Sequence, residues 1–560
     1  MTEGLSRRGF LAGAAVAAGT AGAQAATAAG TGSGAGPTPA DTGPAAVVTA
    51  DADSATFAAP ADAGSAAVVI PGDVRYGDLV RGMNHRWVAA PDRVVVVRTA
   101  DQVVAAVRGA LRDRLRISVR SGGHCYEAFA AEPGVGVVVD LSDLAGIRYD
   151  PRMRAVEVEA GAVMGDVYDT LFKRWGVTVP GGSCYSVGAG GHVAGGGYGP
   201  LSRLHGLVVD HLHAVEVVVA DREHGVRKVV ATRDSDDPDR DLWWAHTGGG
   251  GGSFGIVTKY WFRTPGASGA DPAGLLPRPP ASVWVGRVEW PWESLDEDGF
   301  HRLLGNYAGW CAANAAPGTP LAGVFARLNL VPRQTGPCTL AVQVDGGLAA
   351  PERVLDELVA AVGDGVAAPP RVVEHRALPW LHGTGWQGLW ANDTTSRSDF
   401  KSSYLRSWYA EEQVSALHHH FTRTDYGYPT ARVSMASYGG RINAVAPGDT
   451  AVAHRDSVLK LLWGMAWTDP AEDDWHIAWL RELYSDVHAG TGGVPVPNGV
   501  TDGCFVNYPD IDLSDPAHNR SSVPWHDLYF KDNYPRLQRV KARWDADDVF
   551  HHAQSVRLPR

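Results

Sequence analysis

Arg120-Ser-Gly-Gly-His-Cys-Tyr-Glu127 and Pro180-Gly-Gly-Ser-Cys-Tyr185 are the two glycine-bounded stretches around which the chain is organised. The first follows Leu115-Arg-Ile-Ser-Val119, whose alternating β-branched residues predict a strand. Gly122 and Gly123 therefore sit where that strand turns sharply and its backbone can approach a ligand. The Ser121-Gly-Gly turn exposes successive N–H groups, a nest suited to an anion such as a pyrophosphate. In the second stretch a Pro-Gly-Gly turn presents Cys184 and leads into Val187-Gly-Ala-Gly-Gly-His-Val-Ala-Gly-Gly-Gly-Tyr-Gly199. That run is too rich in glycine for an ordinary helix or strand, which points to backbone packed against a flat or charged ligand.

These motifs resemble the FAD-binding region of the berberine-bridge-enzyme-like family, within the vanillyl-alcohol-oxidase (PCMH-type) superfamily. They are most similar to its bicovalent branch of glycopeptide hexose oxidases, aclacinomycin oxidoreductase and oligosaccharide oxidases. The resemblance implies that His124 bonds to the flavin 8α methyl carbon and Cys184 to ring carbon 6, with Arg120, Ser121, Gly122, Gly123, Gly188 and His192 around the cofactor. A later segment, Asp241 to Thr258, carries a polyglycine turn into the strand-like Ile256-Val-Thr-Lys-Tyr-Trp-Phe262, and the resemblance places the Ile256 and Val257 backbone along the FAD.

The 560 residues carry a formal net charge of −12, which argues against a nucleic-acid partner or an anionic membrane surface. Ser6-Arg-Arg-Gly-Phe-Leu11 and the alanine-rich run after it match a twin-arginine export signal ending near Ala23-Gln-Ala25, too short to span a membrane. Export to the cell surface or medium follows. Residues 26–67 read as a low-complexity linker. Of the five cysteines, Cys311 and Cys338 are candidates for a disulfide, and no spacing among the five matches a zinc site.

From 68 to 265 apolar strands alternate with helices. Thr99 caps a helix through Leu111, Val135–Leu141 and Ala155–Glu159 predict strands, and Val167, Leu171 and Trp175 share one helical face. Beyond the proline-rich stretch at 265–280, residues 281–500 mix antiparallel strands such as 284–290, 321–330 and 339–345 with helices such as 350–362. The expectation is an α+β protein: a two-subdomain FAD-binding region, a substrate region whose sheet roofs the flavin, and a C-terminal element, 501–560, that returns to the FAD region. That element carries Asn507-Tyr-Pro, Asn533 and Gln554. It departs from the family ending at Ala546 and Asp548.

Oxidation of an alcohol needs a base for the hydroxyl proton, and the ring-facing motifs offer tyrosines rather than carboxylates. The resemblance points to Tyr508 and Tyr198, with Tyr438 a third candidate and Asn533 a hydrogen-bond donor to the flavin edge. A phenol titrating near 10 needs a neighbouring positive charge or a hydrogen-bonded partner to serve as base; Tyr198 is the candidate partner, with Lys401, Arg441 or the oxidised flavin itself lowering the pKa. The adjacent His418, His419 and His420 project around a helix in different directions and do not form a metal site between them. The function expected is oxidation of a hydroxyl on a sugar or glycosylated natural product, with dioxygen reoxidising the flavin to hydrogen peroxide. Oxidative ring closure or C–H oxidation on the same scaffold is the alternative, and a non-catalytic carbohydrate-binding flavoprotein a more distant one.

Overall fold

The computed structural model describes residues 64–221, 224–367, 369–387 and 395–559. The export signal and nearly all of the expected linker lie outside them, and Ala67 already opens a strand. Ala66–Arg560 forms one compact unit.

Three sheets build this α+β unit. In the first, Ala67–Val69, Arg93–Val96, Val135–Asp140 and Arg116–Arg120 lie side by side in that order. The last three strands run parallel, because the helix Ala100–Arg112 makes the crossover. Thr99 caps it as expected, its hydroxyl accepting from Gln102 N–H at 3.2 Å. The second sheet orders Ile147–Asp150, Ala155–Glu159, Ile256–Phe262, Leu212–Asp221 and Gly225–Thr232, all antiparallel. The helix Met164–Trp175 buries Val167 and Leu171 and stops at Gly176, whose φ of 66° only glycine adopts readily.

The third sheet has seven antiparallel strands, in the order Arg371–Pro379, Ser282–Trp290, Cys338–Asp345, Val324–Leu330, Arg432–Ser437, Leu459–Trp467 and Arg397–Leu405. Alternation along the strands divides its faces. Leu328, Leu340, Val433, Met435, Leu461 and Trp463 pack in one core with buried residues of the helices Glu297–Ala313, Pro351–Gly363, Glu411–Thr422 and Asp473–Val487. The intervening residues face the other way, toward the first two sheets.

The C-terminal segment returns to the first half. Lys541, on the helix Tyr534–Trp544, is fully buried and donates to the carbonyls of Ser253 and Phe550 and to Asp545, at 2.9, 2.7 and 2.6 Å. Gln554 donates to the Asp510 carbonyl at 2.7 Å. The disulfide expectation is corrected: Cys311, on a helix, and Cys338, on a strand, are buried free thiols.

Candidate active site

The turn after Arg116–Arg120 is shaped by close backbone crossings. A Cβ on Gly122 would meet Gly188 N at 2.3 Å, and one on Gly188 would meet Ser121 Oγ at 2.0 Å. Ser121 Oγ donates to the Ala160 carbonyl at 2.6 Å, which locks the crossing. The N–H groups of Gly122, Gly123, His124 and Cys125 bond to no other described residue, so the nest keeps open donors for an anion. This donor set fits the phosphate end of a dinucleotide. Arg120 contributes indirectly: its guanidinium pairs with buried Asp140 and donates to the Arg81 carbonyl at 2.9 Å, fastening the strand end.

His124 and Cys184 converge on one hydroxyl. Ser186 Oγ lies 3.0 Å from His124 Nε2 and 3.8 Å from Cys184 Sγ. Burial lowers the His124 pKa to about 4, so at neutral pH the imidazole has a free lone pair, and burial also raises the Cys184 thiol above its ordinary value. The Cys184 loop is gripped at Gly182, whose carbonyl accepts from Tyr168 Oη at 2.6 Å and whose N–H donates to His192 Nε2 at 3.1 Å. His192 therefore holds the loop. Ile256 and Val257 pair with the strand on one side only, because Ala155–Glu159 reaches no further than Lys259.

Tyr508 sits on a turn closed by its own N–H to the Phe505 carbonyl at 2.9 Å. Asn507 secures that turn to the glycine run by donating to the His192 carbonyl at 3.0 Å, and a Cβ on Gly195 would collide with the Asn507 amide. The three candidate tyrosines differ in what their hydroxyls do. Tyr198 donates to the Ser437 carbonyl at 2.6 Å, and fully buried Tyr438 to the His454 carbonyl at 3.1 Å. The Tyr508 hydroxyl bonds to no described residue, and burial pushes its pKa up to about 12 against the pull of Arg327 and Arg432.

The cations near Tyr508 are not those expected from the sequence. Lys401 is buried between Asp510 and Asp512, at 2.9 and 2.7 Å, and Arg441 is exposed. Lys460 is the lysine of the site: its ammonium lies 3.8 Å from the Tyr508 ring centroid, 4.3 Å from Phe505 and 4.9 Å from Tyr198. Burial alone holds its pKa well below the lysine value. An ammonium and a phenolate are each costly here in isolation, and together each relieves the other. Tyr126 completes the cluster, its ring 5.6 Å from Tyr508 and 4.2 Å from Phe400. Tyr126, Lys460, Arg327 and Arg432 escaped the sequence reading, although a lone charge in Leu459-Lys-Leu-Leu-Trp463 or Val324-Phe-Ala-Arg-Leu328 was a usable signal. The Asn533 amide donates to the carbonyls of Pro447 and Thr450 at 2.8 and 3.2 Å, so it fastens that loop.

A shallow cleft opens beside the Cys184 loop, walled by Tyr168, Ser183, Tyr185, Gln343, Trp380 and Thr384. Elsewhere, His420 forms a cluster with Glu482 and Asp486, their ligand atoms within 4.8 Å of one another. Arg423 already provides a cation there, donating to Glu482 at 2.8 Å.

An FAD-binding half roofed by an antiparallel sheet is the architecture of the PCMH-type FAD-linked oxidoreductases. Residues 91–224 match the FAD binding domain model, and 504–557 match the berberine and berberine-like model. The aclacinomycin-N/aclacinomycin-A oxidase of Streptomyces galilaeus is 50% identical over 488 residues, 87% of this chain and 89% of that protein. The crystal structure of CrmK, a flavoenzyme of shunt-product recycling in caerulomycin biosynthesis, superposes with a TM-score of 0.87 at 48% identity, covering 89% of this chain and all of that one. The glycopeptide hexose oxidase Dbv29, solved with teicoplanin, superposes at 0.84 with 45% identity over 88% of this chain and 99% of its own. The chain belongs to the berberine-bridge-enzyme-like family of FAD-linked oxidases, and it is an FAD-dependent oxidoreductase.

Proposed function

We propose that the protein is an exported oxidase that holds FAD through both His124 and Cys184 and oxidises a hydroxyl on a sugar or glycosylated natural product. The observation that carries the reading is the shared contact of His124 and Cys184 with Ser186 Oγ. The two side chains lie 60 positions apart in sequence. Their convergence suits two attachment points on one benzenoid ring. When bound, the flavin supplies the two-electron acceptor, returning its electrons to dioxygen as hydrogen peroxide.

Tyr508 is the base. Its hydroxyl is uncommitted, and as phenolate it accepts the proton of the substrate hydroxyl while Lys460 compensates the charge across the ring face. Tyr198 and Tyr438 shape the wall behind it, their hydroxyls anchored to backbone carbonyls. At the edge of the cleft the half-buried Tyr185 ring offers an aromatic face on which a sugar ring or aglycone can stack, while Trp380, 3% exposed, packs in the wall. The similarity to enzymes named for aclacinomycin and for glycopeptide hexose oxidation supports a glycosylated substrate.

Acid-precipitated, unfolded protein is expected to stay yellow and to yield one flavin on two peptides, one containing His124 and one Cys184. Release of intact FAD on unfolding refutes the attachment. A peroxide-coupled screen of glycosides and their aglycones tests the substrate class, and fractionation of the producing cells tests export.

A further inference from the structure

The roof of the site carries more positive charge than its base can use. Arg327 lies directly across from Ala341 on one neighbouring strand and from Ala436 on the other, and Ala436 lies directly across from Lys460. Arg432 is two pleats along the same strand face as Ala436, opposite Gly464. The Ser434 hydroxyl donates to Asn329 Oδ1 at 2.7 Å between these strands, so Arg327, Asn329, Arg432, Ser434 and Lys460 share the face turned toward Tyr508.

Neither arginine has a carboxylate partner among the described residues. The groups of opposite tendency around Arg327 are Tyr508, Tyr198 and Tyr307, those around Arg432 are Tyr126 and Tyr508, and the Arg432 charge opposes that of Arg327. Arg327 Nε is buried without a hydrogen-bond partner. Such groups are costly unless a ligand completes them. One phenolate at Tyr508 balances one cation, and Lys460 already lies over its ring. Two planar guanidinium forks therefore remain, in a protein whose net charge is −12.

We propose that Arg327 and Arg432 form a carboxylate-binding subsite, and that the preferred substrate is an alcohol that also bears a carboxylate, such as a uronic-acid glycoside or a hydroxy acid. A guanidinium fork matches the two oxygens of a carboxylate, so the subsite sets orientation as well as affinity. The reading deepens the proposed oxidase function and rests on it for turnover, but binding can be measured separately.

The test uses the flavin-loaded enzyme, benzoate as probe and benzamide as its neutral isostere, with binding followed by the flavin absorbance and by thermal shift. Benzoate is expected to bind at least about tenfold more tightly than benzamide. Arg327→Gln and Arg432→Gln each weaken benzoate about 10- to 100-fold, the loss expected for a charged hydrogen bond, while benzamide binding changes little. Arg327→Lys restores part of the loss. In turnover, the ratio of kcat/KM for a methyl hexuronoside to that for the neutral methyl hexoside falls in both glutamine variants. Equal binding of the two probes by the wild type, or equal weakening of both probes in the variants, overturns the subsite. Selective benzoate binding without oxidation of either glycoside sustains the subsite and instead refutes sugar oxidation. Should Arg327→Gln fail to retain flavin, the wild-type comparison and Arg432→Gln decide the matter.

Discussion

Replacing Lys460 by methionine is expected to make the protein more stable and much slower. The side chain is 4% exposed, with its ammonium against the rings of Tyr508, Phe505 and Tyr198 and, among the described residues, no carboxylate paired with it. Its folded-state pKa lies well below the 10.5 of the free side chain, because burial penalises the charge. Between those two values the unfolded chain binds a proton that the folded one does not, so this group makes stability rise with pH through that window. Methionine fills similar volume without a charge, and replacing a buried charged group by a hydrophobic one of similar size stabilises by up to about 1–4 kcal/mol. The variant should therefore unfold at higher temperature near pH 7 and lose that part of the pH slope. Without the cation the Tyr508 phenolate loses its partner, and the rate of flavin bleaching by substrate should fall by about 10²–10⁴, the usual worth of a positioned base. The assays are thermal unfolding across pH and anaerobic stopped-flow reduction across pH. A Lys460→Met protein that is less stable, yet reduces with an unchanged pH profile, would show that the lysine is a structural strut and refute the reasoning.

Tyr508→Phe should lower kcat by about 10²–10⁴ while leaving covalent flavin content intact, whereas Tyr438→Phe, whose hydroxyl is committed to the His454 carbonyl and to Tyr404, should stay within about tenfold of the wild type; peroxide-coupled kinetics check both. Cys184→Ala should keep flavin on the His124 peptide alone, as read by peptide mass, and thiol titration of the unfolded wild-type holoprotein should find one fewer than its five cysteines. Lys541→Ala leaves Asp545 buried without its cation and should cost about 3–5 kcal/mol in denaturant unfolding. Glu127, buried with its Oε1 accepting the Ile511 N–H at 3.0 Å, has a pKa raised to about 8 against an ordinary 4.5, so it makes stability fall as pH rises between those values. Glu127→Gln should remove that fall, gaining up to a few kcal/mol above pH 8 in unfolding experiments.

Local order in the first half was legible because each signal there is a matter of neighbours in sequence. The Thr99 cap, the helix Met164–Trp175 and the strand Ala155–Glu159 follow from capping chemistry and apolar period alone. The glycine motifs were equally readable, since a Cβ at Gly122 or Gly188 would strike the other segment's backbone or side chain, and only glycine allows that crossing. These features, with the family motifs they carry, determine the FAD-binding fold.

Which charges surround Tyr508 was decided by tertiary structure. Lys401 and Lys460 are each the one lysine of their strand, Arg397–Leu405 and Leu459–Trp467. Lys401 meets Asp510 and Asp512, whereas Lys460 faces the rings, a difference set by the face on which each strand's pleat places its side chain. Arg327 and Arg432 lie 105 positions apart, and sheet register turns them to one face. A sequence states which residues can carry charge. Pairing across a sheet decides which of them must share a low-dielectric space, and there the absence of an opposite charge becomes chemistry.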